Sequence, residues 1–233
     1  MTTFVLLHGA WHGAWCWDRL RPVLEAHGHA VVTPELPYDV AGTGRADYLA
    51  ALDAVLDQAP ARPGGAVVVA HSMSGLVAPL AAGRPGVAAL ILLAAMVPRP
   101  GAAWLEAGPA PYAAAMRERA GRMRFDDELR SSWDAGDATA LFYNDATAAD
   151  AAAAVARLRP NASLVYGEQC PALPERRVPA AYVSCTRDQA VDGAWNAAAA
   201  AELLAASEHE IDAGHSPFWT APEELAALLE KLS

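Results

Sequence analysis

VVVAHSMSGLVAPLA, residues 67–81, reads as a buried strand that turns sharply into a helix through a small-x-Ser-x-small segment, Ala70-His71-Ser72-Met73-Ser74. Such a turn needs small side chains two positions either side of its apex, because the backbone there is strained and neighbouring elements pass close. Ala70 and Ser74 meet that need. The turn would lift the Ser72 hydroxyl above the sheet, beside amide groups at a helix start that stabilise negative charge. The ordinary alternative is that Ser72 only caps the helix. The strand before it and the spacing of the small residues favour a nucleophile.

Outward from this turn the same alternation recurs. TFVLLH at 3–8, AVVT at 30–33, VAALILLAA at 87–95 and VPAAYVSC at 178–185 join AVVVA at 66–70 as strand candidates, with SEHEI at 207–211 as an edge strand. Helix-like stretches lie near 15–27, 45–58, 73–83, 193–206 and 222–232. This order predicts an α/β chain whose central, mostly parallel sheet is covered by helices on both faces. The span 98–176 breaks the rhythm. It opens with PRPG, closes with QCPALPERR and holds helical patterns, an Ala-rich one at 146–158 among them, but no strand pattern. It reads as a helical cap inserted into one domain spanning 1–233, a cap that sets substrate choice more than chemical competence.

Composition narrows the function. Of 233 residues, 54% are hydrophobic and 19% charged, which suits one packed core and not disorder. A net charge of −10 with scattered Arg residues excludes wrapping a nucleic acid or docking on an anionic membrane. The N-terminus has no secretory leader pattern, and no apolar run nears the ~18 residues of a spanning helix. A cytoplasmic protein acting on a small molecule is the expectation, with a homodimer left open. Cys16, Cys170 and Cys185 fit neither a disulfide framework nor a zinc cage. The sequon Asn161-Ala162-Ser163 carries no weight beside the absence of a leader.

Two further stretches complement Ser72. In LLHGAWHGAW at 6–15 a strand runs into His8-Gly9 and a loop, so that the Ala10 amide and the Met73 amide can hold a developing oxyanion. His8 and His12 are four apart, but no Glu accompanies them and they sit in a loop, so no metal site is expected. In IDAGHSPFW at 211–219, His215 lies in a Gly-flanked loop after the last strand, placed to act as the base. The acid should follow a late strand, and VSCTRDQAVDGAW at 183–195 supplies Asp188. Asp192 stands where a helix N-cap belongs, and Asp212 is too near His215 along the chain to meet its ring.

With HGAWHGAWCW at 8–17, AHSMSG at 70–75, LILLAAMVPRPG at 90–101, LFYNDATAADAAAAVARLRP at 141–160 and the loops of Asp188 and His215 in this order, the chain resembles an α/β-hydrolase fold enzyme over nearly its whole length. Within that superfamily it is similar to the small-cap branch of plant hydroxynitrile lyases, plant methylesterases and bacterial esterases. The elbow departs from the usual pattern, since Ala70 and Ser74 stand where glycines are customary. The resemblance implies a metal-free, cofactor-free hydrolase that cleaves a small apolar or aromatic carboxylic ester through an acyl-enzyme. Carbon–carbon bond lyase, decarboxylase, biosynthetic tailoring enzyme and non-catalytic receptor are the alternatives. A lyase of this branch places a Lys near the catalytic His, whereas Lys231 is the sole Lys here. Trp11, Trp104, Phe125, Trp133, Phe142 and Phe218 are the pocket candidates, each equally able to pack a core.

Overall fold

The computed structural model describes all residues except 60–63, 108–117 and 119–120. Its main sheet contains β1 (Thr3–Leu7), β2 (Ala30–Val32), β3 (Ala66–His71), β4 (Val87–Leu93), β8 (Ala180–Cys185) and β9 (Ser207–Ile211). Their order is β2-β1-β3-β4-β8-β9, and every neighbouring pair is parallel. SEHEI forms the edge strand, and its exposed Glu208 and Glu210 discourage edge-to-edge pairing.

Apolar residues occupy both faces of the central strands, as a sheet sandwiched by helices requires. Along β1 and β3, Val5, Leu7, Val68 and Ala70 enter one core, while Phe4, Leu6, Val67 and Val69 enter the other. The period of two sends alternate side chains to opposite layers. Helices Arg45–Gln58, Gly193–Leu204 and Pro222–Lys231 lie close to the stretches expected from the sequence.

Two expectations need correction. The helix foreseen over 73–83 is a 3-10 turn, Ser72–Leu76, followed by one short α-helical turn, Ala78–Ala81, with Pro79 near its start. A single turn carries little macrodipole, so any stabilisation of charge at Ser72 rests on individual amides. The span 98–176 is also not purely helical. It contains the helices Trp104–Ala107, Ala135–Phe142, Ala148–Val155 and Leu164–Gly167 together with a small antiparallel sheet. That sheet pairs β5 (Arg124–Phe125), β6 (Arg130–Ser132) and β7 (Asn161–Ala162). Strands of two or three residues are too short to impose an alternating pattern on the sequence. Among the described residues, no helix is long and apolar enough to cross a membrane.

Candidate active site

The carboxyl ends of β1, β3, β8 and β9 converge on one place, as the loops of an open parallel sheet do. At the end of β3, Ser72 adopts φ = 53°, a left-handed conformation that costs a non-glycine residue about 1–2 kcal/mol. Close packing holds it there. A Cβ on Gly75 would stand 2.8 Å from the Ala95 Cβ, and the Met96 N–H donates to the Ser72 carbonyl at 2.9 Å. Ala70 is fully buried, within the β1–β3–β4 ladder. Ser74 hydrogen-bonds both the His8 carbonyl and Tyr38 Oη, so the serine in place of a glycine ties this turn to the loop after β1.

Above Ser72 stands His215, 1% exposed. The Ser72 hydroxyl donates to His215 Nε2 at 3.1 Å, and His215 Nδ1–H donates to Asp188 Oδ2 at 2.8 Å. Asp188 Oδ1 accepts the Ala190 and Val191 N–H groups at 2.7 and 3.0 Å, which locks the carboxylate in position. Asp192 instead caps the helix Gly193–Leu204 through the Trp195 N–H, and Asp212 bonds Thr186 Oγ1 at the surface.

The loop after β1 is held by buried imidazoles. His8 Nδ1–H donates to the Gly9 carbonyl at 3.0 Å while its Nε2 accepts from the Leu36 N–H at 3.1 Å. His12 Nδ1–H donates to the Ala10 carbonyl at 2.8 Å, and its Nε2 accepts from Tyr143 Oη at 2.9 Å. Since a carbonyl can only accept, both rings are neutral Nδ1–H tautomers. Burial pushes His8 down to about 4 and His12 to about 3. His71, beside the nucleophile candidate, is likewise buried and held well below its usual range by burial, and its Nε2–H donates to the His215 carbonyl at 3.0 Å. It supports the loop that carries His215 and does not face solvent. Trp11 has φ = 61° and is pinned through its indole N–H, 3.0 Å from the Ser131 carbonyl on β6.

Ser72 opens into a cavity of about 90 Å³. Four of the six pocket candidates line it: Trp11, Trp104, Trp133 and Phe142. Trp11 stacks on Phe142 with ring centres 5.5 Å apart, and Trp133 meets Trp11 edge-on at 5.6 Å. Phe125 and Phe218 do not line it. Phe125 lies on the outer strand β5 and is 54% exposed. Phe218 is fully buried, 4.8 Å from Trp17 and 4.9 Å from His71, where it props the His71 ring. The other lining side chains include Met96, Leu105, Met123, Leu141, Tyr166 and Val191, none of which the sequence marks as a pocket residue, although Met96, Leu141 and Val191 lie within quoted stretches. Gly9, marked in the sequence only as part of the turn after β1, has a packing role as well: its hydrogen stands where a Cβ would meet Ser72 and His71.

A family model described as the alpha/beta hydrolase family matches residues 4–228. Methylesterase 7 of Arabidopsis thaliana is 37% identical over 108 residues, covering 41% of this chain and 40% of that protein. Probable esterase PIR7A of Oryza sativa subsp. indica is 41% identical over 106 residues, covering 42% and 40% respectively. The match therefore spans about two fifths of these relatives' length. An extracellular alpha/beta-hydrolase from a Paenibacillus species superposes with a TM-score of 0.80 at 21% identity, over 100% of this chain and 99% of that one, a likeness of fold.

Proposed function

We propose that this chain, which belongs to the alpha/beta hydrolase family, hydrolyses a small, neutral, apolar or aromatic carboxylic ester by way of an acyl-enzyme on Ser72. The observation that carries this reading is the unbroken line from Ser72 Oγ through His215 to Asp188, with contacts of 3.1 and 2.8 Å. Names of relatives such as methylesterase and esterase agree with ester hydrolysis in general.

In this reading Ser72 Oγ attacks the ester carbonyl carbon while its proton passes to His215 Nε2, and ionised Asp188 stabilises the imidazolium that forms. The carbonyl oxygen becomes an oxyanion held by the Ala10 and Met73 amides, donors of a kind worth about 3 kcal/mol each. His215 returns the proton to the departing alkoxide, and water repeats the sequence to free the acid. The tautomer required, Nε2 unprotonated, follows from Nδ1–H being committed to Asp188. Among the described residues the cavity lining contains no charged side chain, so a substrate bearing a free carboxylate or ammonium against them would lose its hydration without a partner, at several kcal/mol. The span 98–176 acts as the cap, since Trp104, Trp133, Phe142 and Tyr166 are among the residues it contributes to the cavity wall.

The test is a panel of p-nitrophenyl esters of increasing acyl length, with organophosphonate labelling and peptide mapping. Hydrolysis of the smaller esters and an adduct on Ser72 are expected. Undiminished turnover by Ser72→Ala, or an adduct on Ser74, overturns the reading.

A further inference from the structure

The proposed acid and base sit on separate loops that leave adjacent parallel strands, Asp188 after β8 and His215 after β9, where Cys185 pairs with Ile211. Past the strand ends the backbone ladder continues through the Thr186 N–H to the Ile211 carbonyl and the Arg187 N–H to the Ala213 carbonyl, and at the surface the Thr186 hydroxyl and the Arg187 guanidinium bond Asp212. A third element then meets both loops. Asn144 and Asp145 follow the helix Ala135–Phe142 in the inserted segment. Asn144 Nδ2 donates to the Arg187 carbonyl at 3.0 Å, the peptide that joins Arg187 to Asp188. Asp145 Oδ2 accepts the Gly214 N–H at 2.7 Å, one residue before His215, and Thr220 Oγ1–H at 3.1 Å beyond it.

We propose that Asp145, seconded by Asn144, is a positioning residue that fixes the spacing of the Asp188 and His215 loops. The inference rests on the hydrolase reading above for the roles of those two residues. Its side chain is 4% exposed, with the Arg187 guanidinium 3.7 Å from Oδ2 as its cation. A carboxylate buried this deeply is retained at a desolvation cost that several donors must offset. Its Oδ2 accepts two hydrogen bonds, from the Gly214 N–H in the His215 loop and from Thr220 Oγ1–H in the helix that follows, and adds the ion pair with Arg187 in the Asp188 loop, while its buried Oδ1 has no hydrogen-bond partner among the described residues. The fit is interlocking as well as polar: a Cβ on Gly214 would stand 2.6 Å from Asp145 Oδ1 and collide with Asn144 Oδ1. Gly214 is thus small because the Asn144–Asp145 pair occupies the space beside it. If the clamp is released, the His215 loop can slide relative to Asp188 and Ser72, and a misplacement of about 1 Å in such an arrangement costs on the order of 100-fold in rate.

The experiment compares steady-state kinetics of wild type, Asp145→Ala, Asp145→Asn and Asn144→Ala on the best p-nitrophenyl ester, together with the downfield proton NMR signal of the His215 Nδ1–H. In Asp145→Ala, kcat should fall about 100-fold with KM changed less than about twofold, and the downfield signal should shift or broaden. Asp145→Asn keeps an oxygen for the Gly214 N–H and should recover most of the loss. Should Asp145→Ala fail to fold, Asn144→Ala carries the same expectation of a loss confined to kcat. Folded variants that keep the wild-type kcat and an unmoved resonance, whatever their Tm, overturn the proposal. A loss confined to KM does the same. Should wild type hydrolyse no ester and take no phosphonate, the hydrolase reading fails, while the resonance still decides whether Asp145 sets the His215–Asp188 geometry.

Discussion

Gly9 and Ser72 are packed so closely that a Cβ on Gly9 would stand 2.9 Å from the Ser72 Cβ and 2.8 Å from His71 Nδ1. No relaxed side chain fits between the two loops. Gly9→Ala should therefore destabilise the fold by about 1–3 kcal/mol, as overpacking does. It should also slow ester turnover by about 100-fold, because the Ala10 amide next to it moves with the loop. Urea melts and steady-state kinetics on the same preparation separate the effects, and wild-type kcat in Gly9→Ala would show that Ala10 is not an oxyanion donor.

The carboxylates separate cleanly by their contacts. Asp188 receives the His215 ring and two backbone amides, whereas Asp192 receives the helix N–H of Trp195. Asp188→Asn should lower kcat by about 10⁴ with the fold intact, since the imidazole loses its tautomer preference and its charge partner. Asp192→Asn should change little, because Asn caps helices as well as Asp does. The reverse ranking in a kinetic comparison would assign the acid to Asp192.

The inserted segment has two separable jobs. Trp133 forms cavity wall, so Trp133→Ala should reorder preferences across the ester panel. Ser131 accepts the Trp11 indole N–H through its carbonyl at 3.0 Å and its hydroxyl at 3.2 Å, and Asn161 Nδ2 lies 3.8 Å from Met73 Sδ. Strands β6 and β7 thereby touch Trp11, which follows the proposed donor Ala10, and the side chain of the proposed donor Met73. Asn161→Ala should lower kcat on every ester by a similar factor and weaken binding of a boronate transition-state mimic. A changed ranking without loss of kcat would confine the segment to specificity.

Acid should destabilise the fold through its buried imidazoles. His8, His12 and His71 stay neutral in the folded state far below the ordinary imidazole pKa of about 6.5, since burial disfavours their charged forms. The unfolded chain binds protons as pH drops below 6.5 while the folded chain does not until about 4 for His8. Stability is therefore complete above pH 6.5 and declines as pH falls towards 4, by about 3 kcal/mol for His8 alone. Denaturant midpoints measured from pH 7.5 to pH 4.5 should fall steadily, and a flat profile would mean that these rings are charged or exposed in solution.

Cyanohydrin cleavage should be absent. Lys231 is exposed at the end of the helix Pro222–Lys231, and the nearest guanidinium in the acid loop, that of Arg187, is engaged by Asp212 and Asp145. A departing cyanide would find no free cation among the described residues of the cavity wall. Incubation with mandelonitrile at mildly acidic pH should release cyanide only at the background rate. Release that depends on Ser72 would favour the lyase alternative.

The sequence by itself determined the framework, because the central strands are runs whose apolar residues must be buried on both faces and whose neighbours in the chain are amphipathic helices. SEHEI, polar and largely exposed, is legible as the edge strand 207–211 because it has little to bury. It also singled out Ser72, Asp188 and His215, since a strand end followed by a Gly-containing or small-residue loop is a local feature. Their meeting within hydrogen-bond distance was decided by the tertiary structure, through the registers of β3, β8 and β9. Only that structure could distinguish Trp104, which lines the cavity, from Phe218, which lies beneath His71, because both are aromatic residues in loop-rich stretches. The same holds for β5, β6 and β7, whose few residues gain strand pairing from contacts more than 25 positions apart in the case of Ser131 and Asn161. Asn144 and Asp145 read as an ordinary polar turn until the loops of Arg187 and Gly214 close on them. A side chain's neighbours across the fold, and so its exposure to a cavity or to a catalytic loop, are set by how separate elements pack, and no spacing along one element encodes that.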